Sequence, residues 1–101
     1  MRMADQMSEK NFSGNLDALM VDESDNVAVC LHDIDQGTEA AVRLDKENFA
    51  VTATNAIPRG HKLAIREIAE GEKIIKYGEI IGQASANISK GNHVHVHNVV
   101  D

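Results

Sequence analysis

Three histidines alternate with two valines and end on an asparagine in His93-Val94-His95-Val96-His97-Asn98. On an extended strand alternate side chains share a face, so the imidazoles stand together while the valines enter the core, neighbouring rings being spaced ~6.6 to 6.8 Å along the chain. At that spacing two imidazoles converge on one metal more comfortably than three, which makes His93 and His95 the candidate ligands. Neutral imidazoles also hydrogen-bond carboxylates or a partner surface, and near their ordinary pKa they shuttle protons, so the same pair are candidate catalytic groups. The bland alternative is an ordinary polar strand face.

His61 and Lys62 follow Gly60 at a corner, where a donor and a cation could meet an anionic ligand or simply be solvated. Tyr77 is a lone aromatic followed by glycine; it either plugs the core or offers a phenol to a substrate or partner. Asn98 could orient a histidine or cap the strand end. The carboxylates Asp22, Glu23, Asp25, Asp33, Asp35, Glu70, Glu72 and Glu79 mostly fall at corners, where solvation is expected and none stands out as a general base. No phosphate-cradling glycine loop, CxxC pair or Ser-His-Asp pattern is present, which removes the commoner enzyme readings.

The elements that must position these groups are announced by four copies of Ile-x-x-Gly: Ile34 to Gly37, Ile57 to Gly60, Ile68 to Gly71 and Ile88 to Gly91. The Ile is expected to end in the core and the Gly to take a positive φ at the corner. A strand follows each: Thr38 to Leu44, His61 to Ile65, Glu72 to Lys76 and His93 to Val99. Leu16 to Val21 and Asn26 to Leu31, split by the turn-forming Asp22-Glu23-Ser24-Asp25, read as a hairpin. Phe49 to Thr54 adds another strand, and Gly78 and Gly82 interrupt the apolar stretch after Ile74 as bulges or close backbone crossings. No segment longer than two helical turns carries an apolar stripe, so the class is all-β.

A chain of 101 residues makes at most one domain, here residues 16–101 behind a polar, Met-rich tail of residues 1–15. A net charge of −6, with no basic run, argues against nucleic acid as a partner. The beginning of the chain lacks the apolar core of a signal peptide, and no run approaches the ~20 apolar residues of a membrane span, so a cytoplasmic protein without a membrane partner is expected. Cys30, the only cysteine, lies in an apolar run and reads as a small buried residue.

Together, Ile57-Pro58-Arg59-Gly60-His61-Lys62-Leu63-Ala64-Ile65, Ile74-Ile75-Lys76-Tyr77-Gly78-Glu79-Ile80-Ile81-Gly82 and Gly91-Asn92-His93-Val94-His95-Val96-His97-Asn98 resemble the SAF domain of the altronate and galactarate dehydratase family. The resemblance covers most of residues 16–99. It implies a β-clip fold and a place beside a much larger catalytic lyase subunit that eliminates water from a hydroxy-acid substrate. In that family the small domain is fused in front of the catalytic domain or made as a separate small subunit, as in sulfolactate sulfo-lyase. The resemblance further implies a divalent metal, iron or manganese, bound mainly by the large subunit.

Elimination needs a base for the proton beside the carboxylate, stabilisation of the enolate-like charge, and help for the leaving group. His61, His93 and His95 are the expected contributors to an active-site mouth, with Lys62, Tyr77, His97 and Asn98 as substrate contacts. The rival expectations are a free-standing module that captures a sugar acid or a metal through the same histidines, and an adaptor that touches no ligand. A homo-oligomer is left open.

Overall fold

The structure is a computed structural model that describes residues 16–101; the expected tail, residues 1–15, lies outside the described residues. All four corners form. Ile34, Ile57, Ile68 and Ile88 are each at most 2% exposed, and Gly37, Gly60, Gly71 and Gly91 take φ of 90°, 83°, 86° and 94°. The corners work in pairs: Ile34 and Ile57 exchange two backbone hydrogen bonds of 2.8 Å, and so do Ile68 and Ile88. Each buried Ile contributes roughly 1.5 to 3 kcal/mol, so a corner is an apolar anchor as well as a turn.

Nine short strands follow this punctuation: β1 (Ala18–Met20), β2 (Val27–Cys30), β3 (Glu39–Leu44), β4 (Glu47–Thr52), β5 (Lys62–Ala64), β6 (Lys73–Lys76), β7 (Glu79–Ala84), β8 (His93–Val94) and β9 (Val99–Val100). They form a six-stranded sheet in the order β4-β3-β1-β2-β5-β8 and a three-stranded sheet in the order β6-β7-β9. The fold is all-β, as expected, with no helix among the described residues. β1 and β2 make the expected antiparallel hairpin. β1 also pairs in parallel with β3, a long-range pairing that no local signal announces.

Side-chain alternation divides the interior in two. Ala28, Leu63 and Val42 belong to one apolar cluster, while Val27, Ala64, Val94 and the Ile68 and Ile88 corners belong to the other. Strand β5 separates them. Leu63 pairs with His93 and Lys62 with Val94, so Lys62 stands on the Val94 face and His93 on the Leu63 face.

Asp25 was expected to be solvated and is instead fully buried, as is its neighbour Asn26 at 1% exposure. Asp25 Oδ2 accepts the Val21 and Asp22 N–H groups at 3.0 and 3.1 Å, and Oδ1 accepts Gly78 N–H at 2.7 Å. Asn26 Nδ2 donates to Lys73 O and its Oδ1 accepts Ile75 N–H, both at 2.8 Å. Buried polar atoms persist when fully paired, and these two side chains stitch the small sheet to the β1–β2 turn.

The single strand expected over His93 to Val99 does not form. It breaks after Val94, turns over residues 95–98 and resumes as β9. Val96, expected in the core, is 80% exposed. The cause is Asn98, whose Nδ2 donates to His93 O and whose Oδ1 accepts His95 N–H, both at 2.9 Å, closing the turn with its own amide in place of a neighbouring strand.

Candidate functional site

The site is assembled where two corners meet. Gly91 passes so close to β4 that a Cβ there would lie 2.2 Å from Thr52 O, and Gly91 O accepts Thr54 N–H at 2.8 Å. Beyond it, Thr54 Oγ1 donates to Asn92 Oδ1 at 2.6 Å and His93 N–H donates to Asn55 Oδ1 at 3.0 Å. The backbone entering the histidine segment is thereby fixed to the segment that precedes the Ile57 corner. His61, leaving that corner, reaches the same place from the other side.

His61 Nδ1 and His93 Nε2 are 2.7 Å apart, one donating and the other accepting. The His61 and His95 rings stack with centroids 3.6 Å apart and planes within 10°. The His61 and His93 rings stack less closely, at 5.0 Å. His97, exposed, tilts against His93 at 4.9 Å. The three residues expected as active-site contributors, His61, His93 and His95, are therefore brought together, and His97 adjoins them although the strand expected to align them is broken. His61, which sequence spacing did not join to the candidate ligand pair, is the centre of the group.

Burial pushes His93 below its ordinary pKa, assisted by His97, His61, His95 and Lys62. His95 is lowered in the same way, by burial first and then by His61, Lys62 and His97. Every charge named in these two shifts is a cation, so neutral imidazoles are favoured. Among the described residues His95 Nδ1 is buried and without a hydrogen-bond partner, leaving a lone pair or N–H open to a further group. One ring nitrogen from each of His61, His93 and His95 lies within 4.8 Å of the other two, a donor set that could hold a metal ion.

The remaining candidates are placed differently. Asn98 commits its amide to the 95–98 turn and so sets the course of the backbone between His93 and His95. Lys62 is half-buried on the opposite face of β5, so adjacency to His61 in sequence does not make the two side chains neighbours on one face. Tyr77 is no core plug: it is 40% exposed at the β6–β7 turn, with φ of 55° and Lys76 Nζ 5.3 Å from its ring centroid. Cys30 is buried as expected, and burial, with Asp17 adding to it, pushes its thiol up to about 12, which removes it as a nucleophile. A groove of about 730 Å³ lined by Leu19, Val21, Arg43, Asp45 and Glu47, among others, contains none of the histidines.

Sequence reasoning missed Asn55, Asn92 and Asp25 as positioning residues. Their only signal was the company of turn formers, which solvated and buried polar groups share.

These features define a small all-β module that presents clustered imidazoles on an open ledge. The chain belongs to the altronate/galactarate dehydratase SAF domain family, whose sequence model matches residues 16–101. It is 50% identical over 74 residues to the altronate dehydratase of Escherichia coli K12, covering 73% of this chain and 14% of that protein. It is 40% identical over 91 residues to (2R)-sulfolactate sulfo-lyase subunit alpha of Chromohalobacter salexigens, covering 84% of this chain and 94% of that one. Galactarate dehydratase (L-threo-forming) of Escherichia coli K12 is 34% identical over 76 residues, 75% of this chain and 14% of its own length. This chain thus spans a small fraction of the dehydratases it matches. No helix among the described residues is long and apolar enough to cross a membrane.

Proposed function

We propose that this chain is the small SAF-domain component of a lyase, assisting β-elimination from a hydroxy acid that is carried out mainly by a larger catalytic polypeptide. The observation that carries the reading is the convergence of His61, His93 and His95, with His95 Nδ1 buried and unpartnered. The cluster is incomplete as an active site. Among the described residues no carboxylate contributes to the lowering of His93 or His95, and the rings lie on a half-exposed ledge that a second surface would close.

In this reading the neutral imidazoles of His93 and His95 take or return a proton beside the substrate carboxylate, and His61, hydrogen-bonded to His93, keeps that ring in one tautomer. The three nitrogens also fit a divalent metal, and an all-imidazole set suits iron better than manganese, which prefers oxygen ligands. When bound, such an ion supplies Lewis-acid stabilisation of charge on the substrate. His61, His93 and His95 would hold it, with any remaining ligands coming from the larger polypeptide; a ring nitrogen bound to the ion would then not be the one that takes the proton.

The test combines the full chain with a large lyase polypeptide of the same family and measures elimination from altronate, galactarate and (2R)-sulfolactate. Neither component alone should turn over. The pair should, and replacing His61, His93 and His95 by Ala should lower kcat by about 100-fold or more with association retained. Full activity of the triple variant would refute the reading, as would turnover by this chain unaided. Tight metal binding by the isolated chain with no gain from any large polypeptide would favour a free-standing metal-binding module instead.

A further inference from the structure

The segment that carries two of the clustered histidines turns a valine outward. Val94 and Val96 are two residues apart, yet Val94 is fully buried and Val96, at 80% exposure, is the most exposed large apolar side chain among the described residues. It takes a central position of the 95–98 turn, with exposed His97 beside it. Such tips ordinarily go to Gly, Pro, Asn, Asp or Ser, whose backbone freedom or local hydrogen bonds suit a turn, and a β-branched apolar residue brings neither advantage. A lone exposed valine is commonplace on a protein surface; this one is set apart by what surrounds it.

The tip is fixed in place. Asn98 N–H donates to His95 O at 3.0 Å, the Asn98 amide bridges His93 O and His95 N–H at 2.9 Å each, and Ser85 N–H donates to Asn98 O at 3.0 Å. None of these bonds uses the peptide groups of Val96 or His97. A tip held in advance loses little conformational freedom when a partner covers it, which favours binding. Its neighbourhood in the chain is also free of charge: residues 91–100 contain no Asp, Glu, Lys or Arg, in a chain of which 26% is charged. Depletion of charge around an apolar residue marks the core of an interface, and an apolar surface is the partner it matches. His95, on one flank of Val96, stacks on His61, and His97, on the other, tilts against His93, so the tip stands at the rim of the imidazole ledge.

We propose that Val96, at the tip of the 95–98 turn, is a plug that seats in an apolar socket of the larger catalytic polypeptide and closes the imidazole ledge against water. The inference rests on the function proposed above for the existence of that polypeptide and names the contact through which it meets this chain. Seating Val96 takes its methyl groups out of water, and the same contact covers His95 and His97, which lie immediately to either side of it in the chain.

The test measures, by calorimetry, binding of the full chain to a large lyase polypeptide of the same family. Val96→Ala should raise Kd about tenfold and Val96→Glu about 100-fold or more, whereas Val96→Ile should bind as wild type does. Ile80→Glu, which charges another open apolar position, 63% exposed on β7, should leave Kd unchanged. Urea midpoints of the isolated chain should agree for wild type and Val96→Glu, because so exposed a side chain contributes little to the fold. Equal losses of binding from Ile80→Glu and Val96→Glu, or a clearly lower urea midpoint for Val96→Glu, would overturn the plug. So would self-association of the isolated chain that Val96→Glu abolishes, since the occupant would then be a second copy. In the two-component lyase assay, elimination by a pair whose Kd ignores Val96→Glu sinks the plug alone. Binding that depends on Val96 without elimination from any of the three acids sinks the proposed function and leaves the plug standing.

Discussion

The chain contains the same construction twice, and the two versions differ where chemistry is on offer. In the first, the Ile34 and Ile57 corners bracket the β3–β4 hairpin; in the second, Ile68 and Ile88 bracket β6–β7. Corresponding backbone bonds recur: Gly37 N–H to Ala53 O at 2.7 Å matches Gly71 N–H to Ala84 O at 2.8 Å, and Gly60 N–H to Cys30 O matches Gly91 N–H to Ala64 O, both at 2.8 Å. The first hairpin keeps an unbroken six-pair register. The second is interrupted between Ile74 and Ile75, and its turn is held from outside by Asp25. The exit corners differ as well, since Gly60 leads to His61 and Gly91 to Asn92 and His93. The repeated frame supplies stability, and the departures from it place the imidazoles.

The sharpest break in the comparison is at the glycines. A Cβ on Gly71 meets nothing within 4 Å, whereas one on Gly91 would meet Thr52 O at 2.2 Å and Thr54 Cγ2 at 3.1 Å. Gly71→Ala should therefore cost only the left-handed φ, about 1 to 2 kcal/mol. Gly91→Ala should cost about 3 to 5 kcal/mol, because backbone must move as well. Urea unfolding midpoints decide it, and similar midpoints for the two variants would mean that the crossing at Gly91 is not tight in solution.

Next in size is the tether that holds the turn of the second hairpin. Asp25→Ala strands three N–H groups, on Val21, Asp22 and Gly78, and should cost about 3 kcal/mol. Amide exchange at Gly78 should quicken far more than exchange at the β3–β4 turn. Equal acceleration at both turns would show that Asp25 supports the whole fold and not one hairpin.

Much of this frame is legible in the sequence because it is local. Ile-x-x-Gly states both a buried anchor and a positive φ within four residues, and all four copies obey it. Gly82 likewise marks a true crossing, a Cβ there falling 2.5 Å from Val100 O. What escapes is set by distant partners. The alternation from His93 to His97 reads as one strand, yet Asn98 closes a turn across it and exposes Val96. The candidate site was half visible for the same reason: His93, His95 and His97 adjoin in the chain, while the placement of His61 among them depends on the pairing of β5 with β8. Burial of Asp25 depends on a hairpin turn some fifty residues away in sequence, and nothing near Asp25 distinguishes it from Asp22, an exposed member of the same turn cluster.

A smaller effect tests how the second exit corner differs from the first. Asn98→Ala removes two side-chain hydrogen bonds from the 95–98 turn and should cost about 1 to 2 kcal/mol. The more telling readout is the ring of His95, which should lose its fixed stacking on His61 and show altered ¹³C and ¹H shifts. If those shifts stay put, packing and not the Asn98 amide holds the cluster.

The smallest effect lies two residues before each entry corner, where the first construction has His32 and the second has Arg66. His32 sets Nε2 against Asp17 Oδ1 at 2.7 Å and Nδ1 against Asp33 O at 2.8 Å, two acceptors that together favour the doubly protonated ring. Its pKa is raised above the ordinary 6.5, by the Asp33 carbonyl first and then by the Asp17 carboxylate. A raised folded-state pKa stabilises fully below 6.5, and the contribution fades as pH rises through the folded value. The ring is 54% exposed, so screening holds the effect to about 1 kcal/mol or less. His93 and His95 are lowered and act in the opposite sense, losing stability as pH falls, so the wild-type profile mixes the two. The difference between wild type and His32→Gln isolates one of them: it should be present at pH 5.5 and shrink above neutrality, whereas the corresponding difference for Arg66→Gln should stay flat across that range. A His32 difference that grows with pH would reverse the sign and show that the ring is neutral in the fold.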